Sequence, residues 1–402
     1  VTGTQPPIPL DEALDRLLRG IEPLASEHLD TEQAIGRYLG EDLVALRTQP
    51  ATDLSAMDGY ALHADDDRGP WQVVGESAAG HPFRGSFGRG EAIRISTGAH
   101  MPEGDMAVLL QENCTRTGEV IALNGEGEPT ARHIRRAGYD FSKGQVLLPA
   151  GTRIDANQMA LALGSGHARL CVHRLPSLAV IDSGDELAPS PEDCPAHRIP
   201  ATNGAMLEAL ARAPAGRIER LGPVADTMEA LLAALDNAGA CDVIVTTGGA
   251  SVGDHDLVRP ALERWGARID FWRVAMKPGK PLMVGRKGSQ VILGLPGNPA
   301  SAYVTAFLFL LPLLRKLAGC LRPGPQAISL PTALDLAPGH ARREFLRATV
   351  AEGKVHPVLE QDSAGLLALA TATALIDRPP NAPETKAGTY VPVYLLENGG
   401  IA

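Results

Sequence analysis

The stretch CDVIVTTGGASVGDHD, residues 241–256, decides how this chain folds. Val243, Ile244 and Val245 follow one another without a polar break, so the segment has no solvent face. An unbroken apolar strand of this kind belongs in a parallel sheet covered by helices on both sides. The next residues, Gly248-Gly249-Ala250-Ser251-Val252-Gly253, form a loop whose glycines let backbone approach a ligand. The pattern repeats on either side. SLAVID (177–182), FWRVA (271–275), PLMVG (281–285) and QVILGL (290–295) read as strands, with helices near 203–212, near 226–238 and from Ser301 to Leu317. The alternation predicts a parallel-sheet α/β unit holding the largest core.

Upstream, Leu10, Ala13, Leu14, Leu17 and Leu18 recur at helical spacing with acids in the first turn, which predicts a short amphipathic helix over 9–19. From about 46 to 148 the texture changes to short β-rich pieces such as WQVVGE, EAIRIST, AVLLQE and EVIAL, parted by Gly, Pro and Asp clusters. This reads as a β-rich insert. Asp155 opens a second helix, with Gln158 at the capping-box position and Gly164 at its end. Pro323, Pro325, Pro331 and Pro338 punctuate a boundary before a compact β-rich end.

A length of 402 residues sets a prior of two to four domains. Hydrophobic residues at 44% and charged residues at 21% exclude wholesale disorder. Aromatics at 4% and a net charge of −10 argue against nucleic acid as a partner. No segment approaches the roughly 20 apolar residues a membrane span needs, the greasiest being Ala302 to Leu314, and the first residues carry no secretory pattern. No membrane association is expected, and a cytoplasmic location is. Cys114, Cys171, Cys194, Cys241 and Cys320 are spaced neither as a zinc knuckle nor as a disulfide framework, so buried free thiols are expected.

In an open α/β sheet, ligands sit beyond the carboxyl ends of the strands. Four loops there share a composition: Ser183-Gly184-Asp185-Glu186-Leu187; Gly248 to Asp256; Lys277-Pro278-Gly279-Lys280-Pro281; and Pro296-Gly297-Asn298-Pro299-Ala300-Ser301. Exposed N–H groups and two lysines suit an anion. Asp185, Glu186, Asp254 and Asp256 among them make sense if a divalent cation bridges acid and ligand, and Mg²⁺ on one or two carboxylates plus phosphate fits. Neither GxGxxG nor GxxxxGK[ST] is present, which excludes a standard dinucleotide fold and a P-loop NTPase. Gly249 to Gly253 does match GxSxG, so a serine hydrolase with Ser251 as nucleophile is an alternative, weakened by the lack of an HGGG-type oxyanion element.

The insert holds a second constellation: Asp53 to Tyr60 (DLSAMDGY), Ser96-Thr97-Gly98 and Gly138-Tyr139-Asp140. Asp58-Gly59 reads equally as a tight turn. Arg132, His133, Arg135 and Arg136 read as a solvated face that could also dock phosphate.

Together SAMDGYA (55–61), ISTGAHMPEG (95–104), GYDFSKG (138–144), SGDEL (183–187), TNGAML (202–207), TTGGASVGDHD (246–256), KPGKP (277–281) and LPGNPAS (295–301) form an ordered set. That set resembles the MoeA family of molybdopterin molybdenumtransferases, also represented by gephyrin's C-terminal domain. The resemblance implies a multidomain α/β fold: a linking domain (1–45 plus 146–176), a β-rich insert (46–145), a molybdopterin-binding parallel-sheet α/β domain (177–322) and a C-terminal β domain (323–402). It implies a homodimer in which the insert of one subunit faces the α/β domain of the other. The implied reaction takes adenylylated molybdopterin and molybdate, releases AMP and leaves molybdenum on the dithiolene. The implied partners are those small molecules and the adenylyltransferase of the same pathway.

Carried over residue by residue, the resemblance assigns catalysis to Asp58, Thr97, Asp140, Glu186, Asp226 and Asp256, with Mg²⁺ on Glu186 and Asp256. Binding falls to Ser183, Gly184, Gly248, Gly249, Ser251, Arg273, Lys277, Lys280, Pro296 and Pro299. Taken alone, Asp226 in VADTMEALLAALD reads as a helix N-cap, and the two prolines as loop-shaping residues. Arg343 and Arg347 resemble the C-terminal domain's basic contribution to the cleft. Departures are Leu54 where many relatives have Asn, Asp182 for a common Thr, His100-Met101-Pro102 for Pro-x-Pro, and Leu367-Ala368 for Ser-Ser. The last puts hydroxyl contacts from that region in doubt, so Ser363 is left out. Other readings are an adenylyl transfer to molybdopterin, against which the extra domains argue, and a non-catalytic scaffold.

Overall fold

The computed structural model describes residues 6–248 and 257–396, and of Trp272 the backbone alone. Its central sheet has six strands: β1 (Ser177–Ser183), β2 (Arg217–Val224), β3 (Val243–Thr247), β4 (Arg268–Trp272), β5 (Met283–Lys287) and β6 (Gln290–Leu295), in the order β2-β1-β3-β6-β5-β4. The four strands β2, β1, β3 and β6 run parallel. The sheet is mixed, because β5 and β6 form a hairpin and β4 pairs antiparallel with β5.

The unbroken apolar reading holds where it was strongest. All five residues of β3 are buried, as are six of the seven in β1. Alternate side chains go to opposite faces. Leu178, Val180, Val243, Val245, Val291 and Leu293 pack with Leu207, Phe307 and Leu17 on one side. Ala179, Ile181, Ile244 and Ile292 pack with Leu231, Leu235 and Leu262 on the other. Each large aliphatic side chain so enclosed contributes roughly 1.5–3 kcal/mol.

Strand β2 has no counterpart in the sequence reading. RIERLGPV lies at the sheet edge with Arg217 and Arg220 partnered by Glu219 and Glu208, so charge masks the strand pattern. The expected strand 271–275 instead ends at Trp272, because Arg273 adopts φ 100° and breaks the extended run. Among the described residues one helical run, Pro299–Leu317, is long and apolar enough by composition to cross a bilayer, contrary to expectation, but it is mostly buried inside the protein. It is the central core helix, flanked by the sheet, the N-terminal helix Leu10–Leu18 and Phe345 and Leu375 of the C-terminal sheet. A π-helical turn, Ala306–Leu310, precedes Pro312, which has no N–H to give to the preceding turn.

The β-rich insert forms its own six-stranded sheet between Gly59 and Leu123. Strand Ser26–Asp30 pairs with Arg169–His173, and Leu43–Val44 with Val146–Leu148, so the chain closes on itself beneath the insert. The helix Ala156–Gly164 has the expected capping box of Asp155 and Gln158. The C-terminal sheet contains Arg343–Ala351, Ala374–Arg378 and Tyr390–Leu395. Two residues of the α/β unit, Met276 and Lys277, join its edge in parallel with Arg343 and Glu344. All five cysteines are free thiols as expected, but Cys241 alone is buried; Cys114, Cys171, Cys194 and Cys320 are half-buried.

Candidate active site at the strand ends

Asp182 organises the end of β1. Its carboxylate accepts the Thr247 hydroxyl of β3 at 2.6 Å and the Gly204 N–H of the helix Asn203–Ala211 at 3.0 Å. Burial pushes its carboxyl up, and those two hydrogen bonds oppose the shift. With the strand ends clipped, the next residues turn sharply. A Cβ on Gly248 (φ 86°) would lie 2.5 Å from the Ser183 carbonyl oxygen, and one on Gly184 would lie 2.5 Å from the Glu186 carboxylate. At Gly248 the opposing atom is backbone and only glycine permits the approach, whereas at Gly184 the exposed Glu186 side chain could swing aside and the φ of 152° is what favours glycine. The result is a loop pair that holds Glu186 over its own turn.

Three carboxylates gather there. The Asp226 N–H donates to Asp185 Oδ1 at 3.2 Å. Desolvation pushes the Asp226 carboxyl up, a hydrogen bond at the Asp185 backbone opposes it, and the negative charges of Asp185 and Glu186 add to the rise. The N-cap reading of Asp226 fails: the helix Met228–Asn237 is capped by Thr227, whose hydroxyl accepts the Ala230 N–H. Asp226 is thereby left to the acidic group.

Glu186 and Gly248 share a cavity of 610 Å³ with Lys277, Lys280, Pro296 and Asn298. The Asn203 side chain donates to the Gly297 carbonyl at 2.7 Å and braces the LPGNP loop. Pro299 is the first residue of its helix, where the missing N–H costs nothing, and it shapes the loop as expected. Arg273 is not among the cavity's lining residues. Its carbonyl instead accepts the Ile8 N–H at 3.2 Å.

The C-terminal sheet closes the remaining side, but not with the expected arginines. Arg343 grips Asp377 at 2.6 and 2.8 Å and Asp11 at 2.8 Å. Arg347 is 1% exposed and donates to the carbonyls of Asp362 (2.9 Å) and Glu360 (3.1 Å). Arg343 and Arg347 share one face of their strand with Phe345, which packs into the central core. Arg342 lines the cavity instead, with Gln361, Asp362 and Ser363. Ser363, set aside on the sequence, accepts a hydrogen bond from Asn298 Nδ2 at 2.8 Å. The loss of Ser-Ser at Leu367-Ala368 does not remove a hydroxyl from this side of the cavity, because the contact comes from four residues earlier.

The insert residues are elsewhere. Asp58 Oδ1 accepts both the N–H (2.6 Å) and the hydroxyl (3.0 Å) of Thr97, and these bonds hold its carboxyl below the usual range. Arg136 pairs with Asp53 at 2.6 Å, while Arg132 and Arg135 are solvent-exposed. Asp58, Thr97 and Asp140 are exposed and do not line the cavity. Gly249, Ser251, Asp254 and Asp256 lie outside the described residues.

A doubly covered sheet, a β-rich insert, an end sheet and a strand-end cleft combining carboxylates with lysines define the class: a multidomain α/β protein built around a charged ligand pocket. In order along the chain, family profiles match the MoeA N-terminal region (domain I and II) over residues 8–166, the "Probable molybdopterin binding domain" over 179–316, and the MoeA C-terminal region (domain IV) over 329–396. The chain belongs to the MoeA family. It is 34% identical over 317 residues to the molybdopterin molybdenumtransferase of Haemophilus influenzae, covering 77% of this chain and 78% of that one. It is 32% identical over 412 residues to that of Bacillus subtilis, covering 98% and 95%. The solved molybdopterin biosynthesis MoeA protein from Pyrococcus horikoshii superposes with a TM-score of 0.83 at 26% identity, covering 97% of this chain and 100% of that one.

Proposed function

We propose that the strand-end cleft takes adenylylated molybdopterin and molybdate, and that molybdenum is inserted into the pterin dithiolene with release of AMP. Insertion of molybdenum into molybdopterin is the reaction for which the curated relatives are named. The observation that carries the reading is that Lys277 and Lys280 line the same cavity as Glu186. Lysines can hold a tetrahedral dianion. For each oxo group that thiolates displace, two protons must arrive so that oxygen departs as water, and a nearby carboxyl can relay them.

Mg²⁺ suits the donor set. Asp185, Glu186 and Asp226 are hard oxygen donors beside an anion pocket, and Mg²⁺ asks for one or two carboxylates with phosphate and water completing its shell. Bound there with Asp256, it would polarise the phosphoanhydride. We assign Glu186 and Asp256 to the metal. Asp58, Thr97 and Asp140 act, in this reading, across a homodimer interface, with the insert of one subunit facing the cleft of its partner; their exposure and their absence from the cavity lining support it. We infer a cytoplasmic site of action, where the small-molecule substrates of the family's reaction would be met, and hand-over of substrate from the pathway's adenylyltransferase; among the described residues, the one helix long and apolar enough to cross a bilayer is mostly buried in the protein.

The test is an assay with purified protein, adenylylated molybdopterin, Mg²⁺ and molybdate. Molybdate-dependent AMP release is expected. ATP consumption would point to adenylyl transfer instead, binding without turnover to a scaffold, and ester cleavage lost in Ser251→Ala to a hydrolase. For the shared cleft, mixed dimers of Asp58→Ala and Glu186→Ala chains should regain part of the activity that neither homodimer has; no recovery would overturn the dimer arrangement.

A further inference from the structure

Far from the cleft in sequence, three side chains of different ligand types converge. His28 lies on the strand Ser26–Asp30, directly opposite Cys171 on Arg169–His173 in antiparallel register. Directly opposite residues present their side chains on the same face, about 4.5–5.5 Å apart at Cβ. Glu41 follows Gly40, whose N–H donates to the Cys171 carbonyl at 2.9 Å, and the preceding residue Leu39 bridges Val172. A Cβ on Gly40 would stand 3.2 Å from the Cys171 sulfur, so glycine leaves the thiol its space beside Glu41. An imidazole nitrogen, a carboxylate oxygen and the thiol sulfur all fall within 4.8 Å of one another.

We propose that His28, Glu41 and Cys171 form a binding site for a thiophilic divalent cation, Zn²⁺ being the best match. The donor set is the mixture of nitrogen, oxygen and sulfur that zinc accepts in tetrahedral geometry. Zinc bonds of roughly 2.0–2.3 Å put neighbouring donors about 3.3–3.7 Å apart, so closure asks for a movement on the order of an ångström. His28 and Glu41 are exposed and free to make it, while Cys171 is half-buried and fixed. Among the described residues, no hydrogen bond or ion pair engages any of the three side chains, so coordination displaces nothing. The backbone pairing preorganises the site, and a water completes it. Hard-ligand Mg²⁺ would not choose this thiolate set. Bound zinc would staple the strand before the insert, the Gly40-Glu41 turn and the strand after it. This site is independent of the reaction proposed for the cleft.

The test uses the full chain, stripped by chelator and titrated with Co²⁺ as a coloured stand-in and then with Zn²⁺. A single equivalent of Co²⁺ should produce a cobalt–thiolate charge-transfer band that Zn²⁺ bleaches, and Zn²⁺ should raise the unfolding temperature. Both effects should vanish in Cys171→Ser and in His28→Ala, weaken in Glu41→Gln, and survive in Cys194→Ser. Metal-free variants should unfold at the temperature of the metal-free parent, which shows that the fold is intact. Absence of the band, or its persistence in Cys171→Ser, overturns the proposal.

Discussion

Lys277 Nζ lies 3.0 Å from Glu344 Oε1, and the two residues are register partners in a parallel pair that joins the α/β unit to the C-terminal sheet. The carboxylate is nearly buried, with 8% of its side chain exposed, while the lysine is 41% exposed toward the cleft. The same ammonium can therefore serve the fold on one side and an anion on the other.

This double service separates in a mutant cycle. Lys277→Met takes the ammonium from Glu344 Oε1, leaving the nearly buried carboxylate with the His340 N–H at 3.4 Å on its other oxygen, and should cost roughly 1–3 kcal/mol of stability. Lys277→Met with Glu344→Gln should restore most of that stability in denaturant unfolding. Molybdate-dependent AMP release should stay lost in the double variant. Activity returning together with stability would mean that the lysine acts only structurally.

Glu186→Gln removes the ionised oxygen while keeping the side chain's volume. An acid–base or charge-stabilising role predicts a fall in kcat on the order of 10²–10⁴, with an unfolding midpoint near the parent's because Glu186 is exposed. A rate within a factor of a few of the parent would remove Glu186 from the chemistry.

Gly248→Ala should disable the site through the backbone. The added Cβ meets the Ser183 carbonyl at 2.5 Å, and φ 86° is strained for alanine, at a cost of about 1–3 kcal/mol. The loop must shift, so turnover should drop more than stability does. A variant as active as the parent would show that the close approach of these loops is dispensable.

Asp242 supplies a pH signature of the sheet. Burial works against its ionisation, but Arg174 (2.7 and 2.8 Å) and the N–H and hydroxyl of Ser177 outweigh burial and hold the carboxyl at about 2. A depressed folded-state pKa stabilises above the unfolded value near 3.9 and ceases to do so as pH falls through about 2. Asp242→Asn should therefore lose about 2 kcal/mol at neutral pH, and the gap to the parent should close between about pH 4 and 2. A pH-independent gap in urea unfolding would refute the assignment.

The sequence by itself determined the parts whose signal is local. Val243-Ile244-Val245 reads as a strand buried on both faces, as it is, Asp155 and Gln158 can cap a helix without help, and glycines and lysines mark the loops at successive strand ends. Tertiary structure decided whatever depends on register and on contacts between distant segments. It turned Arg342 into the cleft and Arg343 and Arg347 away from it, brought Ser363 to Asn298, gave the helix cap to Thr227 and so left Asp226 to the acids, and set Cys171 opposite His28. The physical reason is that a strand's period of two states which residues share a face, but not which face is inside. That choice is made by the partner segment, which lies 67 residues along the chain for Lys277 and 332 for Asp11, beyond the reach of any local pattern.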